Sequence, residues 1–428
     1  MNHAPPPGSQ ALRWVLLALF SGYAITFSGR QLMAIAVEPL RQDFALSDTA
    51  LGLVNGPFFA LAFALMALPM GQLAGQINRR LFVALALLAW GLVSMGIASA
   101  HGLWILLMAR LIHAALEAGL TPASMSLVAE LAPPQRQAAA MGTLTMAPTL
   151  SAVLSLALGG WLVGLHGWRP IFWGVAILAI LASALCWAAL RDRPHQKAPP
   201  VVSVLQQTLR STLHLLANPR FRWLALAAGL NTLGGYSLAM WNAAFLVRSH
   251  GFSLADAGLI SGFGFGLPSA LGMIVGAALT DRRRARNPDW TFGVSCWGIA
   301  LGVLTSLAYF LWPTDLGLEW GGRTWPLGIA FGACSAFFSV WWTAETFSTA
   351  AKIGGEPSRP AAIAALSSGS TLVGIGVGPV LVGVVSDGLS HIGAPNTLGL
   401  ALALSALAPL ASVFAFRMLK PPQSGHLT

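Results

Sequence analysis

The sequence predicts an all-α membrane protein with twelve transmembrane helices in two pseudo-symmetric six-helix bundles. Three observations predict it. Of the 428 residues, 56% are hydrophobic and 9% charged, where a soluble domain carries roughly 25% charged residues. Apolar runs near or above the ~20 residues needed to cross a bilayer recur at about 12–38, 49–77, 81–100, 102–131, 137–165 and 168–190, then at about 220–247, 254–280, 290–312, 324–350, 359–388 and 392–419. The basic residues are unevenly shared. With the N-terminus inside, 18 of the 24 Lys and Arg fall on cytoplasmic segments, 4 (Arg41, Arg169, Arg248, Arg323) on outside loops, and Arg30 and Arg110 within spans. This bias places both termini in the cytoplasm. It also accounts for the net charge of +10 without any nucleic-acid partner.

Taken in order, residues 1–11 are a Pro-rich cytoplasmic tail. The first apolar run is too long for a signal-peptide core and no A-x-A-like site follows it, so it reads as an uncleaved helix. Residues 12–190 form the first bundle. The linker 191–219 carries Pro194, Pro199, Pro200 and several basic residues, and 203–216 suits a short amphipathic helix on the membrane surface. Residues 220–419 form the second bundle and 420–428 a tail. Two six-span halves joined by a basic loop imply a transporter with its site between the halves, near mid-membrane. Glycine-rich runs at 262–276 and 369–383 permit close helix contact. Cys186, Cys296 and Cys334 lack CxxC or CxxH partners and read as buried structural thiols. With no metal-ligand cluster, nucleotide loop or nucleophile constellation, neither an enzyme nor a cofactor is expected.

The fourth span holds the most informative stretch, Arg110-Leu-Ile-His113-Ala-Ala-Leu-Glu117-Ala-Gly119. Positions 110, 113 and 117 share one helical face. Charges at such depth are costly and face a protein interior or a water-filled cavity. At 1.5 Å per residue, Arg30 and Arg110 each lie about 12 Å from the outer end of their spans, and Glu117 about 10 Å deeper, near the midplane. A desolvated carboxylate favours its neutral form, and a nearby arginine restores the charge. Moving that balance is what proton coupling requires. The plainer reading of Glu117 is a fixed ion pair with Arg30 or Arg110 that holds helices together. His113 is either a group titrating near neutrality or a hydrogen-bonded interior histidine; the second is the simpler reading.

The halves echo each other. Gly71-Gln-Leu-Ala-Gly75-Gln-Ile-Asn-Arg79-Arg80 follows span 2, and Gly276-Ala-Ala-Leu-Thr-Asp281-Arg282-Arg283-Arg284 follows span 8. Both resemble the signature loop of the major facilitator superfamily, G-x-L-(A/G)-D-R-x-G-R-(R/K). The second copy keeps its acid as Asp281, and Gly75 stands in that place in the first. The resemblance narrows with Ser47-Asp48-Thr49-Ala50-Leu51-Gly52-Leu53, Glu117-Ala-Gly followed by Pro122-Ala-Ser-Met-Ser126-Leu, Gly167-Trp168-Arg169, Trp241 with Phe245 and Arg248, and Gly376-Val-Gly378-Pro379 before Ser386-Asp387. Together these resemble the Spinster-like branch, over most of the chain. The resemblance implies solute transport by alternating access. Animal members of that branch move lysophospholipids and sphingosine phosphate. It also implies a proton-coupling set in which an Asp-Arg pair of the first span acts with the span-4 glutamate. Arg30 and Glu117 match; Gly29 stands where the aspartate belongs.

The expected function is therefore secondary active transport of a small anionic or amphipathic organic solute, lysophospholipid-like or an organic acid, coupled to protons through Glu117 and Arg30. Arg30, Arg110, His113, Asn231, Tyr236, Trp241, Asn242 and Phe245 are the expected substrate-site residues. Arg79, Arg80, Glu130, Arg136, Asp281, Arg282 and Glu345 are the expected cytoplasmic gate, with Glu345 paired to Lys352 or Arg359. The rivals are a drug-efflux antiporter, disfavoured because Pro148 and Gly159-Gly160 have the wrong spacing for that group's span-5 motif, and an uncoupled facilitator or transport-dead sensor. The partners are a small-molecule or lipid-like substrate, protons and the bilayer. A monomer in a bacterial inner membrane is the expected state.

Overall fold

A computed structural model of the chain describes residues 9–133, 136–190, 201–287, 292–320 and 323–419. The first half comprises α1 (Ser9–Ile35), α2 (Val37–Phe44), α3 (Asp48–Asn55), α4 (Pro57–Gln76), α5 (Arg79–Ala98), α6 (Leu103–Leu131), α7 (Gln137–His166) and α8 (Arg169–Ala189). The linker helix is α9 (Val201–Ala217); the rest of the expected linker, 191–200, lies outside the described residues. The second half comprises α10 (Pro219–His250), α11 (Leu254–Leu259), a π-helical stretch (Ile260–Phe265), α12 (Gly266–Arg286), α13 (Gly293–Leu311), a hairpin of β1 (Gly317–Trp320) and β2 (Arg323–Pro326), α14 (Gly328–Phe338), α15 (Thr343–His391), α16 (Thr397–Ala406) and α17 (Ala408–Arg417). The twelve-helix, two-bundle architecture is that expected. Helices α1 and α4–α8 pack among themselves, as do α10 and α12–α17, while α9 touches α4 as well as α10 and α15.

Among the described residues, ten stretches are long and apolar enough to cross a membrane by themselves. The expected seventh and tenth spans are not among them, for two different reasons. Helix α10 is long enough at 32 residues, but Arg220, Arg222, Asn231, Thr232, Tyr236 and Asn242 dilute its hydropathy. The tenth span is broken: α14 stops at Phe338, and residues 339–342 form turns before α15 begins. The expected start at 324 is instead the second strand of an antiparallel hairpin, in which Leu318 pairs with Trp325. Helix α15 runs through the expected loop between spans 10 and 11, which survives as one non-helical residue, Gly355 (φ 67, ψ 175). That left-handed φ is open to glycine at little cost.

The second span is also interrupted. Gly56 (φ −102, ψ −105) separates α3 from α4, and Pro57 opens α4 where its missing N–H costs nothing. Helix α3 packs chiefly against α15 of the other bundle. Glycine makes that approach possible: a Cβ at Gly52 would stand 2.7 Å from the Pro379 carbonyl oxygen. A second close crossing joins α7 to α11, where a Cβ at Gly160 would stand 2.8 Å from the Gly258 Cα. Both seams are backbone-to-backbone contacts of small residues, the usual device for helix association in lipid. Of the three cysteines, Cys186 is buried as expected, but Cys296 is half-buried and Cys334 exposed. A thiol within an apolar run sits on whichever face the helix gives it, and the run alone does not choose that face.

Candidate functional site: a charged cavity between the bundles

Arg30 on α1 meets Glu117 on α6 in a two-point contact, Nη2 to Oε1 at 2.9 Å and Nε to Oε2 at 3.3 Å. The side chains are 16% and 4% exposed, so the pair is nearly dry. The Arg30 guanidinium carbon also stands 4.9 Å from the centre of the Phe59 ring and 5.4 Å from those of Phe27 and Phe63. Arg110 reaches the same ring, its guanidinium carbon 4.5 Å from the Phe59 centroid. Arg110 is 3% exposed, and its Nε has no hydrogen-bond partner among the described residues. A buried guanidinium without a carboxylate is expensive; here aromatic faces offset part of that cost.

Arg30, Arg110, Phe27 and Phe59 border a cavity of about 60 Å³ at the seam between the bundles, and Glu117 meets it only through Arg30. Its wall includes Arg30, Gln31, Asn55, Phe59 and Arg110 from the first half and Tyr236, Met240 and Pro379 from the second. The Asn55 amide nitrogen donates to the Leu51 carbonyl at 3.2 Å. This orients the amide and leaves Oδ1 buried without a donor among the described residues. Two cations line the cavity and one carboxylate, Glu117, pairs with Arg30 beside it, so the site as described carries one positive charge in excess.

The other expected site residues separate into two groups. Tyr236 lines the cavity. His113 does not: its ring stacks on Trp90 at 4.3 Å with planes 5° apart, and Nε2 lies 3.1 Å from both the Trp90 carbonyl and Ser94 Oγ. It is the interior histidine of the simpler reading. Four expected lining residues of α10 also turn into their own bundle. Asn231 donates to the Ala227 carbonyl and to Ser412, each at 2.8 Å. Asn242 donates to Ser261 at 2.7 Å and accepts from the Tyr309 hydroxyl at 2.8 Å. Trp241 donates to the Pro379 carbonyl at 3.0 Å. Phe245 packs edge-on against Tyr309 and Phe310. The physical reason for the correction is that a buried amide must be hydrogen-bonded, and here partners on α12's lead-in, α13 and α17 are nearer than the cavity.

Trp90 also explains the glycine at position 29. A Cβ there would stand 2.7 Å from the Trp90 ring, so the indole, clamped on His113, fills the space that an acidic side chain would need.

At the end of the molecule that carries the basic turns, the described ion pairs of the expected gate residues lie inside each bundle. Arg79 pairs with Glu130, and Arg80 stacks its guanidinium 4.1 Å from the Trp187 ring centre. Asp281 and Glu345 both take Arg284, at 3.2 and 3.0 Å, with Lys352 at 3.9 Å from Glu345. Arg136 and Arg282 are exposed. The opposite end is different. Arg248 of α10 donates to both Asp48 oxygens at 2.8 and 2.9 Å and to Glu38, all across the seam. Asp387 of α15 accepts the backbone N–H of Asp48 (3.1 Å) and Thr49 (2.8 Å) and the Thr49 hydroxyl (2.6 Å), so one bundle caps a helix of the other. Sequence reasoning quoted Asp48, Arg248 and Asp387 as motif residues and gave them no role; their separation along the chain hides the pairing.

The family model of the Major Facilitator Superfamily matches residues 19–314. Among curated relatives, an MFS-type efflux pump of Mycolicibacterium smegmatis is 29% identical over 89% of this chain and 86% of its own. A putative tartrate transporter of Agrobacterium vitis is 26% identical over 66% of each. Among solved structures, a bacterial homologue of the human lysosomal transporter Spinster, inward-facing and unoccupied, superposes with a TM-score of 0.79 at 25% identity, covering 96% of both chains.

Proposed function

This chain belongs to the Major Facilitator Superfamily and is Spinster-like within it, and from that premise we propose that it moves a small anionic or amphipathic organic solute by alternating access, coupled to protons through Glu117. The observation that carries the reading is the buried Arg30–Glu117 pair at a cavity between the bundles, beside an Arg110 that has no ion-pair partner among the described residues. An excess positive charge favours an anion, and the aromatic wall suits an apolar body. Glu117 offers a carboxylate whose charge depends on whether Arg30 stays with it. The basic turns lie on the cytoplasmic side by the positive-inside rule. The Arg248 end then faces away from the cytoplasm, and the interlock there corresponds to an inward-facing state of a multi-pass inner-membrane protein. The anionic substrate named for the A. vitis relative is in keeping with this reading.

Uptake of candidate anions into proteoliposomes, with and without an imposed pH gradient, tests the proposal. Accumulation driven by the gradient in the wild type and lost in Glu117→Gln is the expected result. Gradient-driven uptake unchanged in Glu117→Gln overturns it, and equal flux with and without the gradient marks an uncoupled facilitator. Drug efflux is the second reading, favoured by the efflux-pump relative that spans most of this chain. Cationic dyes exported against protons, with no response to organic anions, would select it.

A further inference from the structure

Two guanidiniums face one cavity, and a single aromatic ring lies against both. The guanidinium carbons stand 4.9 Å (Arg30) and 4.5 Å (Arg110) from the Phe59 centroid, so the sum of those distances, about 9.4 Å, is the widest they can be apart. One arm is occupied by a carboxylate, Glu117, held through two nitrogens. The other arm holds none, and no ion pair of Arg110 is present among the described residues. The cavity, at about 60 Å³, exceeds what one water needs and admits a carboxylate beside Arg110. The other cation in its wall is Arg30, so a second anionic group competes with Glu117 for it.

From this geometry we infer that the cavity is a two-cation clamp for a small dicarboxylate, with one carboxylate on Arg110 and the other on Arg30 in place of Glu117. The inference rests on the proton-coupled anion reading and gives it a substrate class and a stoichiometry. Glu117 is displaced as the neutral acid, taking one proton from the open end of the molecule, because a third carboxylate cannot stay ionised beside two guanidiniums already matched. The charge balances: before binding, two cations face one carboxylate; after binding, two cations face a dianion and a neutral acid. One proton enters with each diacid. The charged and titratable groups about Glu117 are Arg30 and Tyr23 of α1, Arg110 and His113 of α6, and Tyr236 of α10. Of these Glu117 is the one carboxylate, so it is the proton acceptor. Phe59 serves as the wall between the arms and fixes their spacing.

Calorimetry on the purified full-length protein tests the clamp with three probes: succinate, butyrate and glycerol 3-phosphate. Succinate is expected to bind at least about tenfold more tightly than butyrate, since it engages a second guanidinium through a charge-assisted contact. The heat, measured in buffers of different ionisation enthalpy, is expected to show about one proton taken up per succinate. Glu117→Gln, which mimics the neutral acid, is expected to bind succinate more tightly and take up no proton. Arg110→Gln is expected to reduce succinate to the butyrate level; if that variant does not fold, the comparison of probes on the wild type decides. Equal binding of butyrate and succinate overturns the clamp, as does succinate binding without proton uptake. Glycerol 3-phosphate outbinding succinate also overturns it, in favour of a single-headed dianion. If butyrate binds as well as succinate and drives gradient-coupled uptake, the anion reading stands and the clamp alone falls. If none of the three anions binds, both fall.

Discussion

The two ends of the molecule hold their charges in opposite ways. At the Arg248 end the partners come from different bundles: Arg248 and Asp387 of the second half reach Glu38, Asp48 and Thr49 of the first. At the Arg284 end the ion pairs given among the described residues lie within one bundle each, Arg79 with Glu130 and Arg284 with Asp281 and Glu345. The lesson is mechanical. A bond within a bundle survives when the bundles rock, whereas a bond between bundles must break. The Arg248 end therefore carries the free energy that holds this state, and the Arg284 end carries pairs that are kept ready. Helix α3 sharpens the contrast. It is covalently part of the first bundle, is separated from α4 by Gly56, and is capped and gripped by the second.

The largest effect is expected from closing off the approach itself. A Cβ at Gly383 would meet the Asp48 carbonyl and lie 2.9 Å from the Thr49 Cα, backbone atoms that cannot step aside. Gly383→Val is expected to abolish the interlocked state. A cysteine placed at Thr49 should change from protected to fully labelled by an impermeant maleimide; protection retained would mean that the seam is looser than its geometry.

Arg248→Ala comes next. It strands Glu38 (6% exposed) and Asp48 (4% exposed), and removing one partner of a buried pair costs about 3–5 kcal/mol. Arg41, 3.5 and 3.6 Å from those two carboxylates, recovers part of that. Labelling at the Arg248 end should rise strongly and the melting temperature fall. Glu345→Gln at the other end removes a charge that is 2% exposed but keeps its shape. The cost is expected near 1–3 kcal/mol, with labelling at the Arg248 end unchanged. Labelling that rises there too would show the ends to be coupled through α15.

Much of this arrangement was legible in the sequence, and the reason is that the bilayer simplifies the code. Length and hydropathy locate spans, and rare charges inside them mark the interior, which is how Arg30 and Arg110 came to line the cavity and Glu117 to pair with Arg30 beside it. What was illegible follows from chemistry that looks alike in one dimension. Asn242 and Tyr236 are polar residues on the same helix, six positions apart; one bonds Tyr309 and the other faces the cavity. Phe59 and Met240 line the cavity without any polar signal. The end of strand β2, from 324 on, leads into a run apolar enough to read as the start of a helix. The interlock needs pairs 200 and 338 residues apart, which no local pattern encodes.

The smallest expected effect separates location from partnership. Asp43 lies on the α2 segment with Glu38, yet its partners belong to its own bundle: Trp168 Nε1 donates to it at 2.7 Å and Arg169 Nη1 at 2.6 Å. The Trp168 hydrogen bond, then that of Arg169, holds its carboxyl below the ordinary aspartate range, burial opposing. A depressed acid contributes stability that is fully present above the unfolded value near ~3.9 and is lost as pH falls through the folded value. Asp43→Asn should therefore lower the melting temperature slightly at pH 7, and the gap from wild type should close below about pH 4. With 40% of each charged side chain exposed, solvent screens most of the pair. If the comparison of the ends is right, Asp43→Asn leaves labelling at Thr49 untouched at every pH, because no bond it breaks crosses the seam. A rise in labelling at neutral pH would show that closure depends on the whole α2 segment and not on the cross-bundle bonds alone.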